Sequence, residues 1–155
     1  MTPRMTNQFA LAPAGMKALF ALEGTFKDSG LEFELLELVK LRASQINGCA
    51  FCLHMHATDA RADGETEMRI YLLDAWRESS LYSARERAAL AWTESLTDIS
   101  RTGAPDEDYA LVEAAFDETE RVHLTLAIGT INLWNRMQVG LRGIHPVGEM
   151  HEHTA

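Results

Sequence analysis

The sequence predicts an all-α protein, and three observations carry this prediction. Apolar residues recur at helical spacing along most of the chain, whereas the period-two alternation that is typical of strands is almost absent. The one Asn-Gly pair, Asn47-Gly48, lies between two helical patterns and not between alternating runs. It therefore indicates a turn between helices. Helix-start signals also occur where the apolar patterns begin.

Apolar spacing and caps predict the helices in chain order. The first two precede the Asn47-Gly48 turn, and the third begins directly after it. Ser83 with Glu86 three residues later has the form of a capping box, and Pro105 followed by two acidic residues is a helix-start signal. The predicted helices are residues 15–27, 31–46, 49–62, 66–78, 84–98, 106–116 and 118–141.

Two of these helices are apolar on nearly every side. Residues 31–46 have large apolar side chains around most of the helical wheel, which predicts a helix surrounded by protein, and Glu37 is then enclosed. The alternative is that Glu34, Glu37 and Lys40 form a narrow solvated stripe, and periodicity does not decide between the two. Residues 118–141 form the predicted spine of the core, in which Gly129, Ala127 and Thr130 are expected to permit close approach of neighbouring helices.

Length and charge limit the class of protein. A chain of 155 residues suffices for one domain, with the core expected at about 15–142 and terminal segments at 1–14 and 143–155. The net charge of −9, without a basic cluster, opposes binding to nucleic acid. No apolar run is long enough to span a bilayer and the N-terminus lacks the pattern of a secretory signal, so a cytoplasmic protein is expected.

Both cysteines lie at the start of one predicted helix. Cys49 is expected in the first turn and Cys52 one turn further, where unpaired backbone N–H groups favour a thiolate. His56 follows Cys52 by four residues, so its side chain lies on the same face and can exchange a proton with that sulfur, whereas His54 points to the opposite side. A helix N-terminus, an adjacent histidine and a CxxC spacing each promote a reactive thiolate.

Other interpretations of this pair are weaker. A disulfide between residues three apart cannot join distant parts of a fold. A zinc site could use Cys49, Cys52 and His56, but structural zinc normally has four protein ligands and no second Cys/His pair is present. A thioredoxin-like site would need a preceding strand. Inert core cysteines are possible, but they leave the histidine and the turn unexplained.

Glu37, Cys49, Cys52 and His56 have the spacing E-x11-C-x2-C-x3-H, and the chain resembles the AhpD-like alkylhydroperoxidases of the carboxymuconolactone decarboxylase superfamily. The segments "LRASQINGCAFCLHMH" and "LTLAIGTINLWNRM" also look like that family, so the resemblance covers about residues 20–142. It implies a single AhpD-like helical domain that assembles as a trimer or hexamer. It also implies a peroxidase whose CxxC reduces hydroperoxides and is restored by an external dithiol, carried by a lipoylated or thioredoxin-type protein.

The resemblance also implies roles for the site residues. By position, Cys52 is the peroxidatic thiol, Cys49 the resolving thiol, and His56 with Glu37 the proton relay. No cofactor and no resident metal is implied. The best-studied branch has a histidine directly before the second cysteine, and here that residue is Phe51, which leaves a shorter relay. Decarboxylase members work without the cysteine pair, so its presence argues against lactone decarboxylation.

Two other functions stay open at this point: a redox-responsive binding protein whose CxxC switches a partner or interface without turnover, and metal-dependent chemistry at the Cys/His site. The tryptophans are expected in the core or at interfaces. His123 is expected to be a buried structural histidine. The polar segment 145–155 carries three histidines and is expected to be a mobile tail.

Overall fold

A computed structural model describes residues 2–146 of the chain, and the fold in this range is all-helical, without a β-strand. The histidine-rich segment predicted at 145–155 lies outside the described residues from position 147 onward. The helices are α1 (Gln8–Leu11), α2 (Pro13–Thr25), α3 (Phe33–Ile46), α4 (Ala50–Ala62), α5 (Glu67–Leu72), α6 (Ala84–Thr97), α7 (Ile99–Thr102), α8 (Asp106–Ala115) and α9 (Glu118–Leu141), with 3₁₀ turns at Phe26–Asp28 and Leu73–Ala75.

The predicted helices correspond to α2–α6, α8 and α9, and their ends follow local capping chemistry. The capping box at Ser83 and Glu86 is present at the start of α6. A second box, at Asp117 and Glu120, starts α9. The predicted helix 66–78 is shorter, because α5 ends at Leu72 and continues only as a 3₁₀ turn. The four-residue helices α1 and α7 were not predicted, since so few residues carry no periodic signal.

Helix α3 lies at the centre of the fold and packs against α4, α6 and α9. Nine of its residues are buried, including Leu38, Val39 and Leu41, each at most 1% exposed. The prediction that this helix is surrounded by protein is therefore confirmed. Because α3 has neighbours on all sides, polar groups along it must find partners within the protein.

An ion cluster joins α3 to α6. Glu94 of α6 accepts hydrogen bonds from Arg42 Nε and Trp76 Nε1, both at 2.8 Å, and is also paired with Arg77. Burial alone raises the pKa of Glu94, but the hydrogen bonds from Trp76, Arg77 and Arg42 outweigh it and leave that pKa below the usual value. The ionised carboxylate thus connects α6 to α3 through Arg42.

Helix α9 forms the predicted spine, with Leu124, Ala127, Ile128 and Ile131 almost fully buried. The expected role of Gly129 is wrong for this chain, because a Cβ placed there would meet no other heavy atom within 4 Å. No described helix is both long and apolar enough to cross a membrane.

The N-terminal segment contacts the helical body. Arg4 donates hydrogen bonds from its backbone N–H to Leu141 O at 3.0 Å and from its side chain to Gly140 O at 2.9 Å. These bonds connect the segment to the end of α9. They bring Phe9 of α1 within aromatic contact distance of Trp134, with ring centroids 6.3 Å apart.

Candidate active site

The cysteine pair lies at the start of α4 and forms a disulfide. Cys49 is the N-cap residue, one position outside the helix that was predicted to include it, and Cys52 is in the first turn. The Cys52 backbone N–H donates to Cys49 Sγ at 3.3 Å, so the Cys49 sulfur caps the helix as a serine oxygen would. Both residues are only 1% exposed.

The turn before the pair is connected to α9 by amide side chains. Gly48 has a φ of +63°, a left-handed conformation that favours glycine. The Asn47 side chain donates to Asn132 Oδ1 at 3.0 Å and to Asn135 Oδ1 at 2.9 Å. Asn135 in turn donates to Ser44 Oγ at 3.0 Å. The role of these asparagines is to position the cysteine turn.

Glu37 of α3 and His56 of α4 meet in the interior. Glu37 Oε2 lies 2.8 Å from His56 Nδ1, and the residues are 2% and 5% exposed. Of the two interpretations of Glu37, the enclosed one is correct, because Glu34 is exposed while Glu37 and Lys40 are buried. An ionised carboxylate only accepts hydrogen bonds, so Nδ1 carries the proton and Nε2 is left free to exchange one.

A network of charged side chains extends from Glu37. Lys40 Nζ lies 3.4 Å from Glu37 Oε1 and 3.4 Å from Glu23 Oε2, and Glu23 accepts a hydrogen bond from Trp134 Nε1 at 3.1 Å. The ammonium group of Lys40 stabilises the negative charge on both carboxylates. The i,i+3 spacing of Glu37 and Lys40 was visible in the sequence, but the contributions of Glu23 from α2 and Trp134 from α9 were not.

A cavity of about 440 Å³ contains these groups. Cys52, His56 and Glu37 line it, so the structure brings three of the four predicted site residues to one space, while Cys49 is not among its lining residues. Its other lining residues are mostly aromatic or apolar, with Glu23, Lys40 and Asp59 as the further charged groups: Phe9, Phe20, Glu23, Phe33, Lys40, Phe51, Met55, Asp59, Trp134 and Gln138. We call this space the Cys52 cavity.

Aromatic rings form one wall of the Cys52 cavity. Phe20 and Trp134 have ring centroids 5.3 Å apart, and Phe9 stacks on Phe20 at 6.2 Å. Phe51, at the position where the family branch has histidine, also lines the cavity. The sequence predicted Trp134 in the core or at an interface and carries no signal for Phe9. The wall is suited to an apolar organic group next to the Cys52 sulfur.

Other residues singled out from the sequence lie elsewhere. His54 is exposed on the opposite side of α4, as predicted, and stacks with His145 at a centroid distance of 5.4 Å. Trp76 and Trp92 are buried in the core. His123, which was predicted to be buried, is only partly buried, and its enclosed Nδ1 has no hydrogen-bond partner among the described residues. None of these residues lines the Cys52 cavity.

The described residues include one group with metal-ligand geometry. The ligand atoms of Glu37, His56 and Asp59 lie within 4.8 Å of one another. Neither cysteine belongs to the group, so it differs from the Cys49, Cys52 and His56 set considered from the sequence. Lys40 shares the Glu37 carboxylate, and its ammonium charge opposes a cation there.

Comparisons with known proteins agree with this architecture. The model of the carboxymuconolactone decarboxylase family matches residues 13–95. An uncharacterised protein, YdfG, of Bacillus subtilis is 46% identical over 135 residues, covering 87% of this chain and 92% of that protein. A crystal structure of a protein of unknown function from Agrobacterium tumefaciens, described as a candidate antioxidant defence protein AhpD, is 47% identical, has a TM-score of 0.90, and covers 95% of this chain and 100% of that one.

A more distant similarity concerns the fold alone. The debrominase Bmp8 superposes with a TM-score of 0.81 at 17% identity, covering 90% of this chain and 75% of that one. The same helical architecture therefore occurs in a protein with a different named activity. The chemistry of this chain must be argued from its own site residues.

Proposed function

This chain belongs to the carboxymuconolactone decarboxylase family, and from that membership and the geometry of its cysteine site we propose that it is a thiol-dependent peroxidase of the alkylhydroperoxidase type. The observation that carries the proposal is that Cys52 shares a cavity with the buried, hydrogen-bonded pair Glu37 and His56. A nucleophile, a proton carrier and a group that orients the carrier are the parts such a reaction needs.

In the first step, the Cys52 thiolate attacks the distal oxygen of a hydroperoxide. The S–O bond forms as the O–O bond breaks, and the leaving alkoxide or hydroxide takes a proton that His56 helps to deliver. Glu37 keeps His56 in the tautomer with the proton on Nδ1, so Nε2 first accepts the thiol proton and then returns it. The products are an alcohol or water and a sulfenic acid on Cys52.

In the second step, Cys49 condenses with that sulfenic acid. The Cys49 sulfur attacks Cys52 Sγ and the S–O bond breaks. The leaving hydroxide takes the proton that the Cys49 thiol gives up, so that water is released. The disulfide that results is the state of the pair in this structure. An external dithiol then supplies two electrons to restore the two thiols. In this proposal the reductant is a lipoylated or thioredoxin-type protein, and the site residues are Cys52, Cys49, His56 and Glu37.

Peroxide titration tests the proposal against the switch interpretation. Reduced protein is mixed with excess cumene hydroperoxide and dithiothreitol, and the peroxide consumed per subunit is measured. Many equivalents support the peroxidase. One equivalent per subunit would instead support a redox-responsive protein without turnover.

Substitution of each cysteine tests the roles of the two thiols. Cys52→Ser is expected to abolish peroxide consumption. Cys49→Ser is expected to perform the first attack once and to accumulate a sulfenic acid that dimedone traps at Cys52. If dimedone labels Cys49 in the Cys52→Ser protein at the wild-type rate, the two roles are reversed.

A metal titration tests the remaining alternative. The protein is purified without a histidine tag, reduced, and analysed for zinc, and its turnover is measured with and without a chelator. Turnover that is unchanged by the chelator supports thiol chemistry alone. Turnover that is lost on chelation and restored by zinc would favour metal-dependent chemistry at the Cys/His site.

A further inference from the structure

In the described part of the chain, two separate cavities reach the cysteine pair, and each is lined by one of the two cysteines. The Cys52 cavity is lined by Cys52 and not by Cys49. A second cavity of about 250 Å³, which we call the Cys49 cavity, is lined by Cys49 and not by Cys52. Phe51 and Gln138 line both and thus form the partition between them. Each sulfur of the disulfide can therefore be reached from a different cavity.

This arrangement restricts how a reductant reaches the disulfide. Both cysteines are only 1% exposed, so a thiol carried on a flat protein surface cannot touch either sulfur. Thiol-disulfide exchange needs the incoming thiolate in line with the S–S bond, on the far side of the sulfur it attacks. A reductant must therefore enter one of the two cavities as a small or slender group.

The charges of the two cavities differ. The Cys52 cavity contains three carboxylates, those of Glu23, Glu37 and Asp59, against the one ammonium group of Lys40. Among residues 2–146, the only ionisable side chain besides Cys49 that lines the Cys49 cavity is Arg142, at the end of α9. The Cys49 cavity is therefore the more favourable of the two for an incoming thiolate.

We propose that the Cys49 cavity is a binding site for the reductant, a small dithiol or a dithiol on a slender arm, and that it is separate from the peroxide site. This assignment rests on the proposed function. One thiolate of the dithiol attacks Cys49 Sγ, the S–S bond breaks, and Cys52 leaves as a thiolate beside His56, the form in which it attacks the next hydroperoxide. The second thiol of the reductant then attacks the reductant sulfur that is bonded to Cys49 in the mixed disulfide. Cys49 is released as a thiol, and the reductant leaves as a cyclic disulfide with two electrons lost.

Stopped-flow measurement of the two half-reactions tests the assignment. Oxidised protein is mixed with dithiothreitol, reduced protein is mixed with cumene hydroperoxide, and free thiols are counted after acid quenching. Val139→Trp narrows the Cys49 cavity at a side chain that is 47% exposed, so the fold tolerates it. This substitution should slow reduction by about tenfold or more, because in-line attack depends on close positioning, and it should affect oxidation less.

Two comparison variants make the result specific. Met55→Trp narrows the Cys52 cavity and should slow oxidation more than reduction. Val122→Trp places the same bulky group on α9 at an exposed position outside both cavities and should change neither rate. The assignment is overturned if dithiothreitol reduces the disulfide of the Val139→Trp protein at the wild-type rate. It is also overturned if Met55→Trp slows this reduction as strongly as Val139→Trp does.

Mapping the mixed disulfide gives a second test that requires no peroxide. Oxidised wild-type protein is mixed briefly with 2-mercaptoethanol, quenched with iodoacetamide, and fragmented in a mass spectrometer. The expected product carries mercaptoethanol on Cys49 and the alkyl group on Cys52. The opposite labelling would place the attack at Cys52 and refute the Cys49 site. Because reduction is measured without peroxide, a failure of the peroxidase proposal would be seen separately, in the titration described above.

Discussion

Replacement of Glu37 by glutamine tests how the buried carboxylate sets the state of His56. In the structure one carboxylate oxygen faces His56 Nδ1 at 2.8 Å and the other faces Lys40 Nζ at 3.4 Å. A glutamine has only one oxygen for these two positions, and Lys40 can only donate. The amide oxygen is therefore expected to face Lys40, which turns the amide NH₂ toward Nδ1 and moves the imidazole proton to Nε2.

This change removes the proton acceptor that faces the Cys52 cavity. Loss of a positioned general acid or base typically lowers a rate by about 10²–10⁴-fold, and we expect a decrease in that range in the rate of Cys52 oxidation. The assay is stopped-flow reaction of reduced protein with cumene hydroperoxide, together with the pH profile of iodoacetamide alkylation at Cys52. Glu34→Gln is the matched control, because Glu34 is exposed on the same helix.

The double variant Glu37→Gln/Lys40→Met separates this mechanism from a general disturbance of the site. Without the ammonium group, nothing holds the amide oxygen away from His56, so it can again accept the Nδ1 proton. We expect the double variant to react with peroxide faster than Glu37→Gln alone. If Glu37→Gln, Glu34→Gln and the wild type have overlapping pH profiles, Glu37 has no part in proton transfer and the tautomer argument fails.

Three other features predict measurable effects. The pKa of Glu94 lies below its usual value of 4.5, so its ionised form stabilises the fold above that pH and the contribution is lost as the pH falls through the folded-state pKa. Glu94→Gln should lower the free energy of unfolding at pH 7 by about 1.5–3 kcal/mol and by less at pH 3. An equal loss of stability at the two pH values would contradict this prediction. Phe20→Ala should raise KM for cumene hydroperoxide by about threefold, which corresponds to the loss of an aromatic contact, and leave KM for hydrogen peroxide unchanged. An equal rise in KM for both peroxides would argue against an aromatic binding wall. Light scattering at micromolar concentration should report a trimer or hexamer, because α9 exposes apolar side chains, and a monomer would refute it.

Local features of the chain could be predicted from the sequence because they depend on neighbours in the sequence. Periodicity identified the longer helices, and the Ser83 box and the Asn47-Gly48 turn marked where they begin and end. The CxxC pair was expected at the start of a helix for the same reason, with an error of one residue at Cys49. Spacing also put Cys52 and His56 on one face of α4, where both line the same cavity.

Contacts between distant segments were decided only by the tertiary structure. Glu37 was equally compatible with a solvated stripe, and it is buried because α4, α6 and α9 surround α3. Glu23 of α2 pairs with Lys40, and Trp134 of α9 donates to Glu23. No local pattern specifies pairings across that many residues. The division of the disulfide between two cavities likewise depends on how α9 packs beside the cysteine turn. The sequence by itself determined which side chains can carry the chemistry. Packing determined which residues these side chains contact, which charges surround them, and which sulfur each cavity reaches.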